Sequence, residues 1–322
     1  MSLVPGSESK PKFYSILQPG TLSRNNDGTY EMEFLEDTRT LTGKHNEAGR
    51  GMELSELTSY ENRLLSFDDR TGSIYELISN EDGKKTIVVP RLVVTEGDGD
   101  TDKGMKFEWA TVKDGNLFVG SLGKEFTNLD GSIANLNNNW VAVVNPHGEV
   151  FRKDWTEKYN AVRSALGAER PGYLIHEAIE WSRHMRKWVF LPRRVSSEAY
   201  NDVSDERKGS NKIVIVDENF VSFEVVEVNF ASKNPLHGFS SFKFIPGTKD
   251  RQIFALRSVE ENCAGDDLNE CKQWSYGAVF DLLTGKVLME ETRFPIDFKF
   301  EGVEFINIHI PSPMKRCKSL YI

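Results

Sequence analysis

One pattern recurs along this chain and restricts its fold more than any other feature. A glycine-containing turn leads into an apolar run interrupted by one polar side chain, and a further turn leads to a second run rich in Val, Ile, Leu and Phe. Full copies occupy residues 49 to 72, 104 to 120, 172 to 194 and 237 to 258, and a shorter copy occupies 300 to 310. The polar residues are Ser55, Glu108, Glu177, Ser240 and Glu301, spaced by 53, 69, 63 and 61 residues, each close to one fifth of the 322-residue chain. A weak repeat of this length, β in character throughout, is what a propeller blade or a similar radial unit produces. The expected class is therefore all-β. Strands radiating from an axis would allow the five polar side chains to converge on it.

No Pro-, Gly- or Ser-rich linker divides the chain, so a single domain over 13–310 is expected, preceded by a disordered or tag-like stretch 1–12 and followed by a tail 311–322. The net charge of −9, from 49 acids against 40 bases, supplies no overall basic field for a nucleic acid polymer. No apolar run approaches the roughly 18 residues needed to span a membrane, and MSLVPGSESKPK lacks the apolar core of a secretory signal. Cys263 and Cys271 lie eight apart in a polar loop, where either a bridge or two free thiols is compatible with the spacing, and Cys317 is left over.

In chain order, 13 to 35 reads as strand, Pro-Gly break, strand, Asn-Asn-Asp-Gly turn, strand, followed by a polar connection over 36–48. SIYELI and KKTIVVPRLVV continue the first copy around a Glu-Asp-Gly turn, and 139 to 151 reads as a strand pair around Asn145 to Gly148. DWTEKYNAVRSALGAERPG reads as the one helix, with Asp154 as N-cap and Gly167 as the stop.

Several site chemistries are excluded by spacing. In TEGDGDTDKG, Asp98, Asp100 and Asp102 alternate as in an EF-hand, but with Asp98 first the glycine falls at position seven and Trp109 stands at position twelve. The loop reads instead as solvated and facing the site. His176, Glu180 and His184 are four apart but fall in two strands around a charged turn, and lack the H-E-x-x-H order of a zinc helix. G-x-S-x-G, GxxxxGK[ST] and strand-to-helix GxGxxG signatures are absent.

The remaining chemistry is calcium with arginine. Calcium takes six to eight oxygens in irregular geometry. Three glutamates and two serine positions on an axis, completed by water, supply about that number, whereas converging carboxylates without a cation would repel.

The strings GRGMELSEL, DDRTG, EGDGD, KFEWATVKD, LGKEF, PGYLIHEA, WVFLPRR, DERKGSN, HGFSSFKFIP and FEGVEF, in this order, resemble the calcium-activated nucleotidase or apyrase family over about residues 13 to 306. That resemblance implies a five-bladed β-propeller with a central calcium (Ca2+) site at Ser55, Glu108, Glu177, Ser240 and Glu301, each serine giving its hydroxyl or its carbonyl. It implies hydrolysis of nucleoside diphosphates (UDP, GDP, ADP) and triphosphates to the monophosphate, and a place outside the cell or in the secretory lumen. It also implies catalytic roles for Arg70, Arg193 and Arg194, whose guanidinium forks suit phosphate, and for Asp69 in orienting or deprotonating water. Lys124, Glu125 and Phe126 match the family's substrate mouth. A homodimer is compatible with the sequence.

Two departures bear on function. Phe126 stands where the family has Trp, which reduces the stacking area and removes the indole donor. No acidic strand of the family's kind precedes Phe13, which would leave one blade with an open edge. The alternative reading is therefore a calcium-stabilised propeller that binds nucleotide or protein without turnover.

Overall fold

The computed structural model describes residues 2–3, 13–45, 51–80, 85–128, 132–264, 270–306 and 318–322. Among these, strands dominate, and five four-stranded antiparallel sheets carry the chain. Each of the five repeated stretches delivers one sheet's first strand: β1 (Leu54–Tyr60), β2 (Trp109–Lys113), β3 (Ile179–Ser182), β4 (Gly238–Phe244) and β5 (Glu304–Ile306). In the first four sheets the strands follow in sequence order, so that β1 pairs with Arg63–Asp68, which pairs with Ser73–Ser79, which pairs with Thr86–Val93.

Local chemistry explains the hairpins. Between β1 and its partner, Glu61 and Asn62 both have positive φ, and between β2 and its partner so do Asp114 and Gly115. Such two-residue turns match the twist of antiparallel strands. Central strands such as Lys212–Asp217 (KIVIVD) have an unbroken apolar interior because both faces are covered.

The five sheets close into a ring. One apolar cluster lies between each neighbouring pair: Phe67, Phe107 and Val119 between the sheets of β1 and β2; Trp109, Trp188 and Phe190 between those of β2 and β3; Val189, Phe239 and Phe280 between those of β3 and β4. Phe254, Val303 and Leu320 fill the next interface, and Leu57, Tyr75 and Tyr321 the last. Polar bonds tie first strand to first strand: Thr58 Oγ1 donates to Ala110 O at 3.1 Å, Trp181 N to Thr111 Oγ1 at 3.0 Å, and Ser59 N to Glu304 Oε2 at 2.6 Å.

The ring is closed by both ends of the chain. The fifth sheet runs β5, Lys318–Tyr321, Pro19–Arg24, Tyr30–Phe34, reinforced by reciprocal backbone bonds between Gln18 and Ile322. This sheet has its full four strands, so the open edge expected from the sequence is not there. The last residues of the expected tail form an interior strand, and Ser2–Leu3 pair with Phe13–Leu17 in a small accessory sheet. Leu320 is fully buried in the ring closure. Leu320→Ala is expected to cost about 2–5 kcal/mol, read by chemical denaturation. A loss under about 1 kcal/mol would place it at a frayed end.

Other details depart from the reading of the sequence. The strands Phe13–Leu17 and Pro19–Arg24 are separate as expected, but the break falls at Gln18 and Pro-Gly opens the second strand. The polar connection contains the strand Arg39–Leu41. The helix is Thr156–Ala165 with Trp155 at the N-cap, and Asp154 Oδ1 accepts from Thr156 N one residue earlier than expected, because Asp154 still belongs to a strand. A second short helix, Asp202–Asp205, is capped by Asn201. The Glu-Asp-Gly turn (81–83) and Cys317 lie outside the described residues. Cys263 and Cys271 form a disulfide.

Candidate functional site

At and just before the start of the first strands, side chains from different sheets come together. Ser55 and Ser240 do not present their hydroxyl hydrogens there. Ser55 Oγ donates to Phe107 O at 2.6 Å and Ser240 Oγ donates to Phe300 O at 2.9 Å, each bonding to the stretch that leads into the next sheet. Phe107 and Phe300 sit in two copies of the tripeptide Lys-Phe-Glu, 106–108 and 299–301. In extended chain, residues i and i+2 share a face. Lys106 therefore lies beside Glu108, and Lys299 beside Glu301, while both phenyl rings enter the core.

These pairs join one cluster. Lys106 Nζ lies 2.8 Å from Glu108 Oε1 and 3.0 Å from Asp69 Oδ2. Lys299 Nζ binds Glu301 and lies 3.7 Å from both Glu177 and Glu260. The buried Arg193 guanidinium bridges Glu177 and Glu260, reaching the latter at 2.6 Å. Five carboxylates (Asp69, Glu108, Glu177, Glu260, Glu301) thus meet three fixed cations (Lys106, Arg193, Lys299), leaving two formal negative charges. Asp69 Oδ1, with Glu53 beside it, is buried without a hydrogen-bond partner. Glu53, Asp69, Arg70, Lys106, Lys299 and Glu301 line a cavity of about 320 Å³ that also reaches Glu260 and Gln273.

Among the described residues, no three His, Cys, Asp or Glu side chains stand as a ready-made ligand set, because the carboxylates turn onto the lysines and Arg193. The donor chemistry nonetheless fits a hard divalent cation: acids outnumber bases in the cluster, and oxygen is the donor throughout. Glu108, Glu177 and Glu301, with the carbonyls at Ser55 and Ser240, would be its ligands.

The electrostatics follow from burial. Burial, reinforced by Glu177, Asp69 and Glu301, pushes the Glu108 carboxyl up to about 8 against the pull of Lys106. Burial likewise raises Glu301 despite Lys299. For Asp69 burial acts upward too, but Lys106 and Lys299 outweigh it and hold the group below the usual carboxylate range. Glu260 is drawn down to about 2 against burial by Lys299, Arg193 and Arg194.

A pH dependence follows. Burial also pushes Glu56 up to about 8. For Glu56 and Glu108 the folded value exceeds the unfolded one, 4.5, so their contribution to stability is complete below pH 4.5 and is lost as pH rises through about 8. His176, pushed down to about 3 by burial, has given its full contribution above pH 6.5 and does not oppose them there. In chelator, unfolding free energy is expected to fall by roughly 1–3 kcal/mol between pH 7 and 9, as measured by denaturant titration; a rise would contradict these assignments.

The other expected site residues are distributed around this cluster. Arg70 stands at its lip, 37 % exposed, 3.8 Å from Glu53. Arg194 is buried against Asp205 at 3.5 Å and Leu236 O, committed to structure. Lys124, Glu125 and Phe126 line a separate cavity with Tyr200 and Asp202. There Lys124 Nζ lies 4.3 Å from the Tyr200 ring, and Lys103 of the acidic loop lies 4.9 Å from Phe126. Glu125 is held by Arg163 at 2.8 Å and is not turned to solvent. Of the excluded zinc trio, His176 stacks on Tyr159 in the core and Glu180 binds Lys243. Sequence reading missed Lys106, Lys299, Glu53 and Glu260; the repeated Lys-Phe-Glu was a visible signal for the two lysines.

A family model described as Apyrase matches residues 4–306. Soluble calcium-activated nucleotidase 1 of Rattus norvegicus is 42% identical over 301 residues, covering 93% of this chain and 70% of that protein. An apyrase of Cimex lectularius is 44% identical over 268 residues, covering 83% and 69%. Apyrase apy-1 of Caenorhabditis elegans is 39% identical over 306 residues, covering 93% and 81%.

Proposed function

The chain belongs to the apyrase family, and on that premise we propose that it hydrolyses nucleoside diphosphates (UDP, GDP, ADP) and triphosphates to the monophosphate, in dependence on Ca2+. The five sheets are then the blades of a five-bladed β-propeller, with the ion on its axis at Ser55, Glu108, Glu177, Ser240 and Glu301. The observation that carries this reading is the convergence of five carboxylates from different sheets on three cations, an oxygen-rich cluster with more acids than bases.

Calcium in this ring would supply Lewis-acid stabilisation of phosphoryl oxygens. The chain's own groups do the rest. Arg70, at the exposed lip, presents its guanidinium fork to a phosphate oxygen. Lys106 and Lys299, also lining the cavity, add positive charge where charge grows on the bridging and leaving oxygens. Asp69, held ionised at neutral pH by Lys106 and Lys299 and lining the cavity, accepts a hydrogen bond from water and orients it toward the terminal phosphorus. The water oxygen bonds to that phosphorus as the bond to the bridging oxygen breaks, which takes a diphosphate to monophosphate, inorganic phosphate and a proton, and a triphosphate to the monophosphate in two such rounds. Lys124 and Phe126 are placed in this reading at the base end of the substrate, Phe126 offering a stacking face. The Cys263–Cys271 disulfide supports a secreted or secretory-lumen location.

Phosphate release from UDP, GDP and ADP, measured with calcium, with magnesium and with chelator, tests the proposal. Release that requires calcium is expected. No release from any of the three would leave a calcium-stabilised scaffold as the better account.

A further inference from the structure

The five axial residues have a second set exactly in step with them. Moving three residues onward from Ser55, Glu108, Glu177, Ser240 and Glu301 gives Thr58, Thr111, Glu180, Lys243 and Glu304. A regular strand repeats its facing every two residues, so a step of three needs an irregularity. The pairing supplies it: register shifts occur between Leu54 and Leu57 in β1 and between Phe239 and Ser241 in β4. At the other three positions the earlier residue precedes the regular strand. Bulges of this kind re-aim side chains.

Four of the second set meet at one place, and Glu304, whose oxygens accept from Ser59 N and Phe305 N, stands near them. Lys243 Nζ binds Glu180 and lies 3.7 Å from Glu56 Oε1, 3.3 Å from Thr58 Oγ1 and 3.5 Å from Ala110 O. Thr111 Oγ1 donates to the second oxygen of Glu180. Ser241 Oγ donates to both oxygens of Glu56, at 2.9 and 3.1 Å. Glu304 acts on both Lys243 and Glu180 by charge. β1, β2 and β3 surround the ammonium of the buried Lys243 with carboxylate, hydroxyl and carbonyl oxygens, while Glu304 of β5 acts on it by charge. That oxygen shell is what a hard cation takes, and the occupant is tethered: Lys243 stands in the second ring at the position Ser240 holds in the first.

We infer that the second ring is a built cation site whose resident cation is the chain's own Lys243 ammonium, and that this residue confines divalent metal to the first ring. Its removal with retention of an oxygen donor, Lys243→Ser, turns Thr58, Thr111, Glu180, Ser and Glu304, with Glu56 beside them, into a set resembling Ser55, Glu108, Glu177, Ser240 and Glu301. The variant then takes up a divalent ion where the parent holds an ammonium.

Equilibrium dialysis with calcium alone counts ions per chain in the folded full-length protein, and terbium luminescence locates the new one, since Trp181 lines the same cavity as Lys243 and Glu180. Lys243→Ser is expected to bind one ion more than the parent and to gain, beyond the parent's own signal, Trp-sensitised terbium emission that the further substitution Trp181→Phe removes. An unchanged count overturns the inference. So does failure of this variant to fold in saturating calcium, because the ion is held to replace the ammonium. A matched pair, Lys243→Met with Glu180→Gln, removes one charge of each sign and is expected to fold and keep the parent's count; a gained ion there also overturns it. The inference is read as a difference from the parent, whereas the parent's own count tests the calcium reading of the first ring, so the two can fail separately.

Discussion

Glu177→Gln is expected to reduce calcium-dependent phosphate release at least ~100-fold, since loss of a direct charged ligand should cost no less than loss of an outer-shell partner. The substitution keeps the side-chain volume and one acceptor for Arg193 Nη1, so the buried guanidinium retains its other partner, Glu260. Metal-linked stability distinguishes a lost ligand from a disturbed fold. At a calcium concentration a hundred times the parent's Kd, the parent gains about 2.7 kcal/mol, whereas a variant with Kd raised 100-fold gains only about 0.4 kcal/mol. Calorimetric melting of both proteins with and without calcium reads this directly. A variant that still rises with calcium as the parent does would show that Glu177 is not in the metal site.

Arg193→Met is expected to be the most damaging substitution at the cluster. Arg193 is nearly fully buried and bridges Glu177 and Glu260. Removing the guanidinium leaves two carboxylates without their shared partner, and breaking a buried pair in this way costs about 3–5 kcal/mol. Lys299, 3.7 Å from each, can compensate only in part because it already binds Glu301. Adding a divalent cation is expected to restore more stability to this variant than to the parent, since the substitution removes one positive charge from beside Glu177 and Glu260. Denaturant unfolding with and without calcium checks both statements. A loss below about 1 kcal/mol would mean that the bridge is not what holds these carboxylates in place.

Ser55, Glu108, Glu177, Ser240 and Glu301 are legible in the sequence as one polar side chain per repeat at near-regular spacing, and such spacing survives divergence between the repeats. What their partners do was not visible. A lysine just ahead of a strand is ordinarily solvated, so only the shared Lys-Phe-Glu setting marks Lys106 and Lys299 as equivalent. Glu260 and Glu53 lie in stretches rich in acids, where nothing in the local pattern separates a buried carboxylate from a solvated one. The second ring was hidden for a different reason: Thr58, Thr111, Glu180, Lys243 and Glu304 are offset by three, and alternation alone assigns an offset of three to the opposite face of a strand. Only the register shifts in β1 and β4 show otherwise. The closure of the fifth sheet by Lys318–Tyr321 was equally illegible, because a short final strand gains its partners from residues nearly 300 positions away.

The central claim is that one divalent ion sits on the axis of the five sheets and serves phosphate chemistry there. A crystal grown with calcium, with anomalous scattering used to locate the ion, tests it most directly. The account predicts a single strong site enclosed by the carboxylates of Glu108, Glu177 and Glu301 and the carbonyls of Ser55 and Ser240. An ion bound instead at Asp98, Asp100 and Asp102 of the acidic loop, with the axial carboxylates still paired only to Lys106, Arg193 and Lys299, would contradict it.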